Sequence, residues 1–283
     1  MAIRATNYDE TQEYDVAETG DLCNDNLLIN SDFRNPVNQR GKTSYTLGIV
    51  WTYAIDRWCG FYNKVSVEDG YIKIEQNASN SGTTYFKQMF ENTLPKDNYT
   101  VTMNVLELSG TITLVLAGVS QTLMAGKNTF TFEGCSPTQL QINITGSGAY
   151  VNIEYIKLEQ GSIATPFVPR PYGEELALCQ RYLFPIERWV GTYAERGDNL
   201  HHLMFVPNLI MRTNPTATEA PTAQIAGFKN NGTVIPTQSV SNFSACYQRK
   251  NGIEIVFNID GTSEINFGVG VFTKDFFLDA EIY

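Results

Sequence analysis

Tyr99-Thr100-Val101-Thr102-Met103-Asn104-Val105 is the stretch whose reading decides the fold. Apolar and polar side chains alternate strictly over its seven residues, the beat of a strand with one face in a core. Downstream, Ile112, Leu114 and Leu116 follow a Ser109-Gly110 turn, and Phe130 and Phe132 form a further short run. Leu140, Ile142 and Ile144 come next, then Val151, Ile153 and Tyr155, with Gly126, Gly134 and a Gly146-Ser147-Gly148 turn between runs. Short strands at roughly ten-residue spacing with turn signals predict a β-sandwich or barrel. Beyond Tyr155 the apolar phase passes to Ile156 and Leu158, a shift that requires a β-bulge.

The remainder divides around this block. Residues 1–25 are polar, acidic and without period, and read as an extended arm, either a free tail or a segment that orders on a larger assembly. Residues 160–172, QGSIATPFVPRPY, carry Pro166, Pro169 and Pro171 and form a stiff connector. A short helix is predicted from Glu174 to about Leu183, its two leading glutamates suiting an N-terminus. Leu176, Cys179 and Leu183 then fall on one stripe. From Trp189 strands resume, with Ile253, Ile255, Phe257 and Ile259 joined to Ile265, Phe267, Val269 and Val271 by an Asp260-Gly261 hairpin turn. The final DFFLDAEIY reads as a strand tied into a sheet. The expected chain is therefore all-β: an arm (1–25), a β body (26–159), a linker with a short helix (160–183) and a C-terminal β-sandwich (184–283).

The 283 residues include 20 basic and 30 acidic side chains, a net charge of −10. No basic stripe is present to neutralise phosphates, so nucleic acid is not an expected partner. Seven of the acids and only one base lie in residues 1–25, so the body is nearly balanced. No apolar run approaches the length of a membrane span, and MAIRATNYDE has no apolar core of a secretory signal. Cys23, Cys59, Cys135, Cys179 and Cys246 are odd in number and far apart, as buried thiols made in a reducing cytosol would be.

Catalytic patterns are scarce. The only histidines, His201 and His202, are adjacent, and in a strand they would point to opposite faces. No nucleophile elbow, phosphate loop or zinc-protease motif occurs. Thirty acids offer no way of choosing the pair a glycosidase needs, so a polysaccharide depolymerase is the least favoured reading and no catalytic residue is assigned. Aromatics are more informative: Trp51, Tyr53, Trp58, Phe61 and Tyr62 crowd twelve residues, with Tyr71 and Tyr85 nearby. Such rings either fill the core or stack on the C–H faces of sugars, and Trp51, Tyr53 and Tyr85 are the candidate glycan-binding residues. Trp58, beside Arg57, reads as a core ring.

Several ordered motifs then carry a resemblance. Asn26-Leu27-Leu28-Ile29-Asn30-Ser31-Asp32-Phe33, Asn38-Gln39-Arg40-Gly41 and Tyr53-Ala54-Ile55-Asp56-Arg57-Trp58 resemble a module of bacteriophage tail-fibre and related virion proteins. Its pattern is NLLxNGDF, xQRG and YxxDRW, with Ser31 here in place of Gly. The strand at 153–159, Gly161–Phe167, Tyr172–Tyr182 and the Met211–Thr216 run, MRTNPT, extend the likeness to about residues 26–216. The resemblance implies a carbohydrate-binding-module-like jelly roll, a linker helix and a terminal β domain. It implies a virion fibre or receptor-binding subunit that attaches to a host surface glycan, made in the host bacterial cytoplasm. The alternative is a capsid-attached fibre with an architectural role. It also implies a homotrimer, with Leu176, Cys179 and Leu183 at an oligomer or domain interface and residues 1–25 meeting other virion proteins. Asp56 and Arg57 are expected to pair. Related modules often hold a structural calcium, and Asp32 and Glu154 occupy the approximately matching positions.

Overall fold

The computed structural model describes residues 23–77, 82–186, 210–219, 243–250, 252–257 and 275–282 with their side chains, together with residues 221, 224 and 272. Strands in the remaining stretches are described by their backbone pairing. The chain divides into two compact units, residues 1–176 with 282–283, and residues 177–281.

The first unit opens with β1 (Ile3–Thr6) and β2 (Glu13–Ala17), which pair antiparallel, so the expected extended arm contains a hairpin. It continues through β3 (Ser44–Thr46), β4 (Thr52–Tyr53), β5 (Cys59–Phe61), β6 (Asn63–Glu68), β7 (Tyr71–Gln76) and β8 (Thr84–Met89). Two very long strands, β9 (Asp97–Leu116) and β12 (Gln139–Gln160), flank β10 (Val119–Thr122) and β11 (Gly126–Cys135). β12 is the spine. Its first half lies between β8 and the second half of β9, and its second half lies between β7 and the first half of β9. Two half-sheets thus share one bent strand pair and close on a single core that includes Phe33, Trp58, Phe86, Met103, Leu114 and Ile142. Strands that change sheet through a bend are a known way to turn such a corner.

The period-2 reading holds: Tyr99, Val101, Met103 and Val105 are buried, as are Leu140, Ile142 and Ile144. The expected bulge is present but lies before Tyr155 rather than after it, the β12–β9 register slipping between Asn152 and Ile153 and again between Ile153 and Tyr155. The two expected glycine turns are corrected. Ser109-Gly110 and Gly146-Ser147-Gly148 lie inside β9 and β12, at the bend where Thr111 pairs with Thr145 and Ser109 with Tyr150. Gly110 is needed there twice over, by its φ of 86° and by space. An added Cβ would come within 2.5 Å of the Ala149 Cβ. The tight turn is instead Ala117-Gly118, with φ of 48° and 81°, the signature of a type I′ hairpin.

The quoted motifs are tied to one another. Asn30 takes the left-handed φ of 56°, a conformation Asn tolerates, so the turn does not need glycine at position 31. Its side-chain amide donates to the carbonyls of Val37 and Asp56, both at 2.8 Å, and its carbonyl oxygen accepts from the Val37 N–H at 2.7 Å. The Trp58 indole N–H donates to the Asn30 backbone carbonyl at 2.7 Å while the ring stacks on Phe86 and meets Phe33 edge-on. The expected Asp56–Arg57 pair is corrected. Asp56 accepts from the Gln39 N–H and side-chain amide at 2.7 and 2.8 Å, with Arg40 3.9 Å away. Arg57 donates to the Met89 carbonyl. Burial pushes the Asp56 carboxyl above its ordinary value, and Arg40 opposes the shift.

Past the bulge, the other phase of β12 is charged yet buried: Lys157 is 1% exposed and Glu159 0%. They pair at 3.2 Å, and Thr165 donates both its N–H (2.9 Å) and its hydroxyl (2.5 Å) to the Glu159 carboxylate. Lys157 donates to the Pro166 carbonyl at 2.9 Å. The GSIATPF run is thereby latched over the sheet. Arg170, donating to the Leu28 and Asn26 carbonyls and pairing with Glu175, fastens the next stretch.

α1 (Tyr172–Gln180) is shorter than expected at its C-terminal end. Leu183 belongs to β13 (Leu183–Ile186), where its backbone pairs with Asp279. The second unit goes on through β14 (Val190–Arg196), β15 (Leu200–Pro207), β16 (Thr216–Ala217), β17 (Ala223–Phe228), β18 (Val234–Val240), β19 (Phe243–Arg249), β20 (Gly252–Asn258), β21 (Phe267–Phe272) and β22 (Phe276–Asp279). One sheet has the order β18-β17-β21-β14-β15-β20-β19, and β13-β22-β16 form another. The expected hairpin between β20 and β21 is corrected, because β14 and β15 stand between those strands. β20 finds its hairpin partner upstream in β19, with Arg249 opposite Gly252. Asp260 and Gly261 lie outside the described residues, as do Trp189 and the histidine side chains. The terminal strand is tied in as read: β22 pairs with β13 and β16, and Arg212 donates to the Ala280 carbonyl at 3.0 Å.

Cys59, Cys179 and Cys246 are buried thiols, and burial pushes that of Cys246 up to about 12. Cys23 departs from the expectation, since it is exposed.

Removing one member of a buried ion pair strands the other charge, at a cost of about 3–5 kcal/mol. Lys157→Ala should therefore lose about that much in urea unfolding, and joint replacement by Lys157→Met and Glu159→Leu should recover most of it. A loss below about 1 kcal/mol for the single variant would contradict the latch.

Candidate functional site

Because side chains alternate across a strand, the buried phase of β8 and β12 fixes what stands on the opposite face. Thr84, Phe86 and Gln88 point inward, so Tyr85, Lys87 and Met89 point outward. Leu140, Ile142 and Ile144 point inward, so Gln139, Gln141 and Asn143 point outward. Register sets Tyr85 beside Asn143, Lys87 beside Gln141, and Phe61 of β5 beside Tyr85. Trp51, in the loop before β4, brings its ring 5.5 Å from Phe61 and 6.1 Å from Tyr85. All of these side chains are half-buried. The loop tip beside Trp51 adds Ile49 and Val50, 72% and 69% exposed.

Two kinds of chemistry meet on this face. Trp51, Phe61 and Tyr85 form an apolar cluster with ring faces for C–H groups to stack on. Alongside runs a hydrogen-bonded row. The Lys87 ammonium donates to Gln139 at 3.2 Å, Gln139 to Gln141 at 3.2 Å, and Gln141 to Asn143 at 2.7 Å. Lys87 also lies 3.8 Å from the Trp51 ring centroid, a cation–π contact. Segments 59–61, 84–89, 111–116 and 139–144 contain no acidic residue. The outer face of the other half-sheet contrasts with it: Lys73 pairs with Glu75 at 2.7 Å, and Tyr150 donates to Glu107 at 2.8 Å.

The expected glycan residues are thus divided. Trp51 and Tyr85 come together on the face, whereas Tyr53 is 4% exposed, with the Arg40 guanidinium 5.4 Å from its ring. Tyr53 is corrected to a core residue. The sequence reading missed Lys87 and the Gln139–Gln141–Asn143 row. A signal was present, because every polar position between Leu140, Ile142 and Ile144 is a carboxamide. The interface residues part company too. Cys179 and Leu183 are buried within a single copy, Leu183 in a strand, and only Leu176 of the three is partly exposed.

The residues proposed for calcium do not fit the ion. Asp32 and Glu154 do lie close, through the Asp32–Tyr155 bridge and the Phe33 N–H donating to the Glu154 carbonyl at 2.8 Å. Both oxygens of Asp32 are taken by the Arg34 guanidinium, at 2.6 and 3.0 Å, and Glu154 accepts from Asn104 at 2.6 Å. The hydrogen bond that Arg34 donates to Asp32, aided by the charges of Asp32 and Glu154, raises the Arg34 pKa. The guanidinium supplies the positive charge there, and it also lies 5.4 Å from the Phe167 ring, which stacks on Tyr155. No group of three metal-ligating side chains occurs among the described residues. A cleft between Asn30, Asp32, Arg170 and Glu175, of about 50 Å³, has room for water and not for a sugar.

No protein-family model matches the sequence, and no curated relative matches it. Among solved structures, a point mutant of the family 29 carbohydrate-binding module CBM29-2 is 12% identical, covering 45% of this chain and 99% of that one with a TM-score of 0.29. The adhesin domain of Epf from Streptococcus pyogenes is 12% identical, covering 92% and 98% with a TM-score of 0.31. The tandem CBM22-1–CBM22-2 of Xyn10C from Paenibacillus barcinonensis is 11% identical, covering 92% and 98% with a TM-score of 0.29. These similarities are too distant to establish a shared ligand.

Proposed function

We infer that the protein is a non-catalytic glycan-binding subunit that attaches its assembly to a polysaccharide surface. The observation that carries this reading is the face built by Trp51, Phe61 and Tyr85 beside the Lys87–Gln139–Gln141–Asn143 row. A sugar ring offers an apolar C–H face and an equatorial fringe of hydroxyls. Aromatic rings take the first and carboxamides take the second. Neither ring cluster nor amide row is required by the core, which lies on the inner side of the same strands. Exposed Ile49 and Val50 extend the apolar area at its edge, as exposed apolar patches at interaction sites do. Carboxamides, an ammonium and rings are groups suited to holding a ligand.

The virion setting belongs to the same proposal: a fibre or receptor-binding subunit, trimeric, with residues 1–25 engaging neighbouring virion proteins. That part is supported by the motif resemblance over residues 26–216. Leu176, the partly exposed member of the helix stripe, is the residue of the three available to a second copy.

On a glycan array and in affinity electrophoresis, the protein should retain at least one polysaccharide. Trp51→Ala and Tyr85→Ala should each weaken retention by about tenfold or more, while Tyr71→Ala on the opposite half-sheet leaves it unchanged. Absence of any ligand, or indifference to the ring variants, would refute the reading. Because Arg34 stands where an ion would, a chelator should leave both retention and the thermal midpoint unchanged; a fall in either would restore the metal.

A further inference from the structure

We propose that the glycan recognised at this face is acidic, and that Lys87 determines the preference by meeting a carboxylate or sulfate. This rests on the glycan-binding reading and narrows it. Three observations lead to it.

The first is the pairing of lysines. Lys73 is held by Glu75 at 2.7 Å and the buried Lys157 by Glu159 at 3.2 Å. Lys87 is half-buried like Lys73, yet its partners are the Gln139 side-chain oxygen and the Trp51 ring, with no carboxylate among the described residues. The exposed Lys42, Lys96, Lys127 and Lys250 also lack an ion pair, but among the described lysines that are not exposed Lys87 alone stands apart from an acid.

The second is the direction of the hydrogen bonds. Gln139 Oε1 accepts from Lys87, Gln141 Oε1 from Gln139, and Asn143 Oδ1 from Gln141. Each carboxamide oxygen therefore already has a donor from the row. Each oxygen keeps one lone pair, and these are outnumbered by unspent N–H hydrogens: the rest of the ammonium, one each on Gln139 and Gln141, and both on Asn143. The row is a donor surface and calls for a ligand rich in acceptors. An oxyanion is the strongest acceptor that a sugar carries, and its hydrogen bond to an ammonium is charge-assisted.

The third is position. The Lys87 ammonium lies 3.8 Å from the Trp51 ring centroid, so a sugar bound at the aromatic cluster has a cation beside it. The absence of acidic residues from segments 59–61, 84–89, 111–116 and 139–144 removes the repulsion an anionic chain would otherwise meet there.

Polygalacturonate, hyaluronan and a sulfated galactan, each beside its carboxyl-reduced or desulfated form, test this by titration calorimetry. The folded full-length chain is expected to bind at least one acidic form roughly tenfold more tightly than its neutral counterpart. The ratio should shrink with added salt, collapse towards one in Lys87→Gln and return in Lys87→Arg. Carboxylated and sulfated arms tell the two oxyanions apart. Equal affinity for charged and neutral forms, or a preference that survives in Lys87→Gln, would overturn the acidic ligand while ring-dependent binding kept the glycan reading. Binding of no member of any pair would overturn both.

Discussion

The antiparallel pairing of β9 with β12, which resumes on both sides of a bend, is the constraint on which the first unit depends. One strand pair belongs to both half-sheets, and its register on each side of the bend decides which side chains enter the core and which face outward. A slip of one residue would exchange the two sets, sending the Gln139–Gln141–Asn143 row inward and Leu140, Ile142 and Ile144 into water. The bend is possible because Gly110 lies against Ala149 and Thr145 with no room for a side chain. Glycine at this point is a requirement of geometry. The bulge after Ile153 makes a second adjustment, turning the other phase of β12 so that Lys157 and Glu159 are sealed beneath the Gly161–Phe167 run.

Polar residues serve two distinct ends in this molecule. Asn30, Asp56 and Trp58 are hydrogen-bonded to one another's neighbourhoods and close the loops at one end of the sandwich. Lys157 and Glu159 fasten the connector, and Arg34 draws Asp32 and the Tyr155–Phe167 stack together. These are the residues of the quoted motifs, and their work in this chain is architectural. The face around Trp51 and Tyr85 lies outside those motifs, among positions the core leaves undetermined.

That division explains what the sequence revealed. Runs such as 99–105 and the phase change near Tyr155 were legible because the core selects apolar side chains on alternate positions, even where Thr100 and Thr102 are buried too, and Trp58 was legible as a core ring. Glycine pairs at 109–110 and 146–148 read as turns because a bend in a long strand needs the same residue as a reversal. The Asp260-Gly261 signal misled because both flanking strands find other partners, with β14 and β15 between them. Leu183 followed helical spacing but was drawn into β13 by pairing with Asp279. At the site, aromatic content pointed to the region without telling Tyr53 from Tyr85, since exposure depends on neighbours distant in sequence. The amide row escaped because attention to an alternating strand goes to its apolar phase.

Amide hydrogen exchange resolved by residue tests the bent pair most directly. The account predicts that residues 101–105 and 112–116 of β9, with 140–144 and 151–158 of β12, exchange as one cooperative group near the global unfolding free energy. Exchange in which 112–116 and 140–144 open separately from 101–105 and 151–158 would mean that the glycines mark true reversals between independent hairpins, and would contradict it.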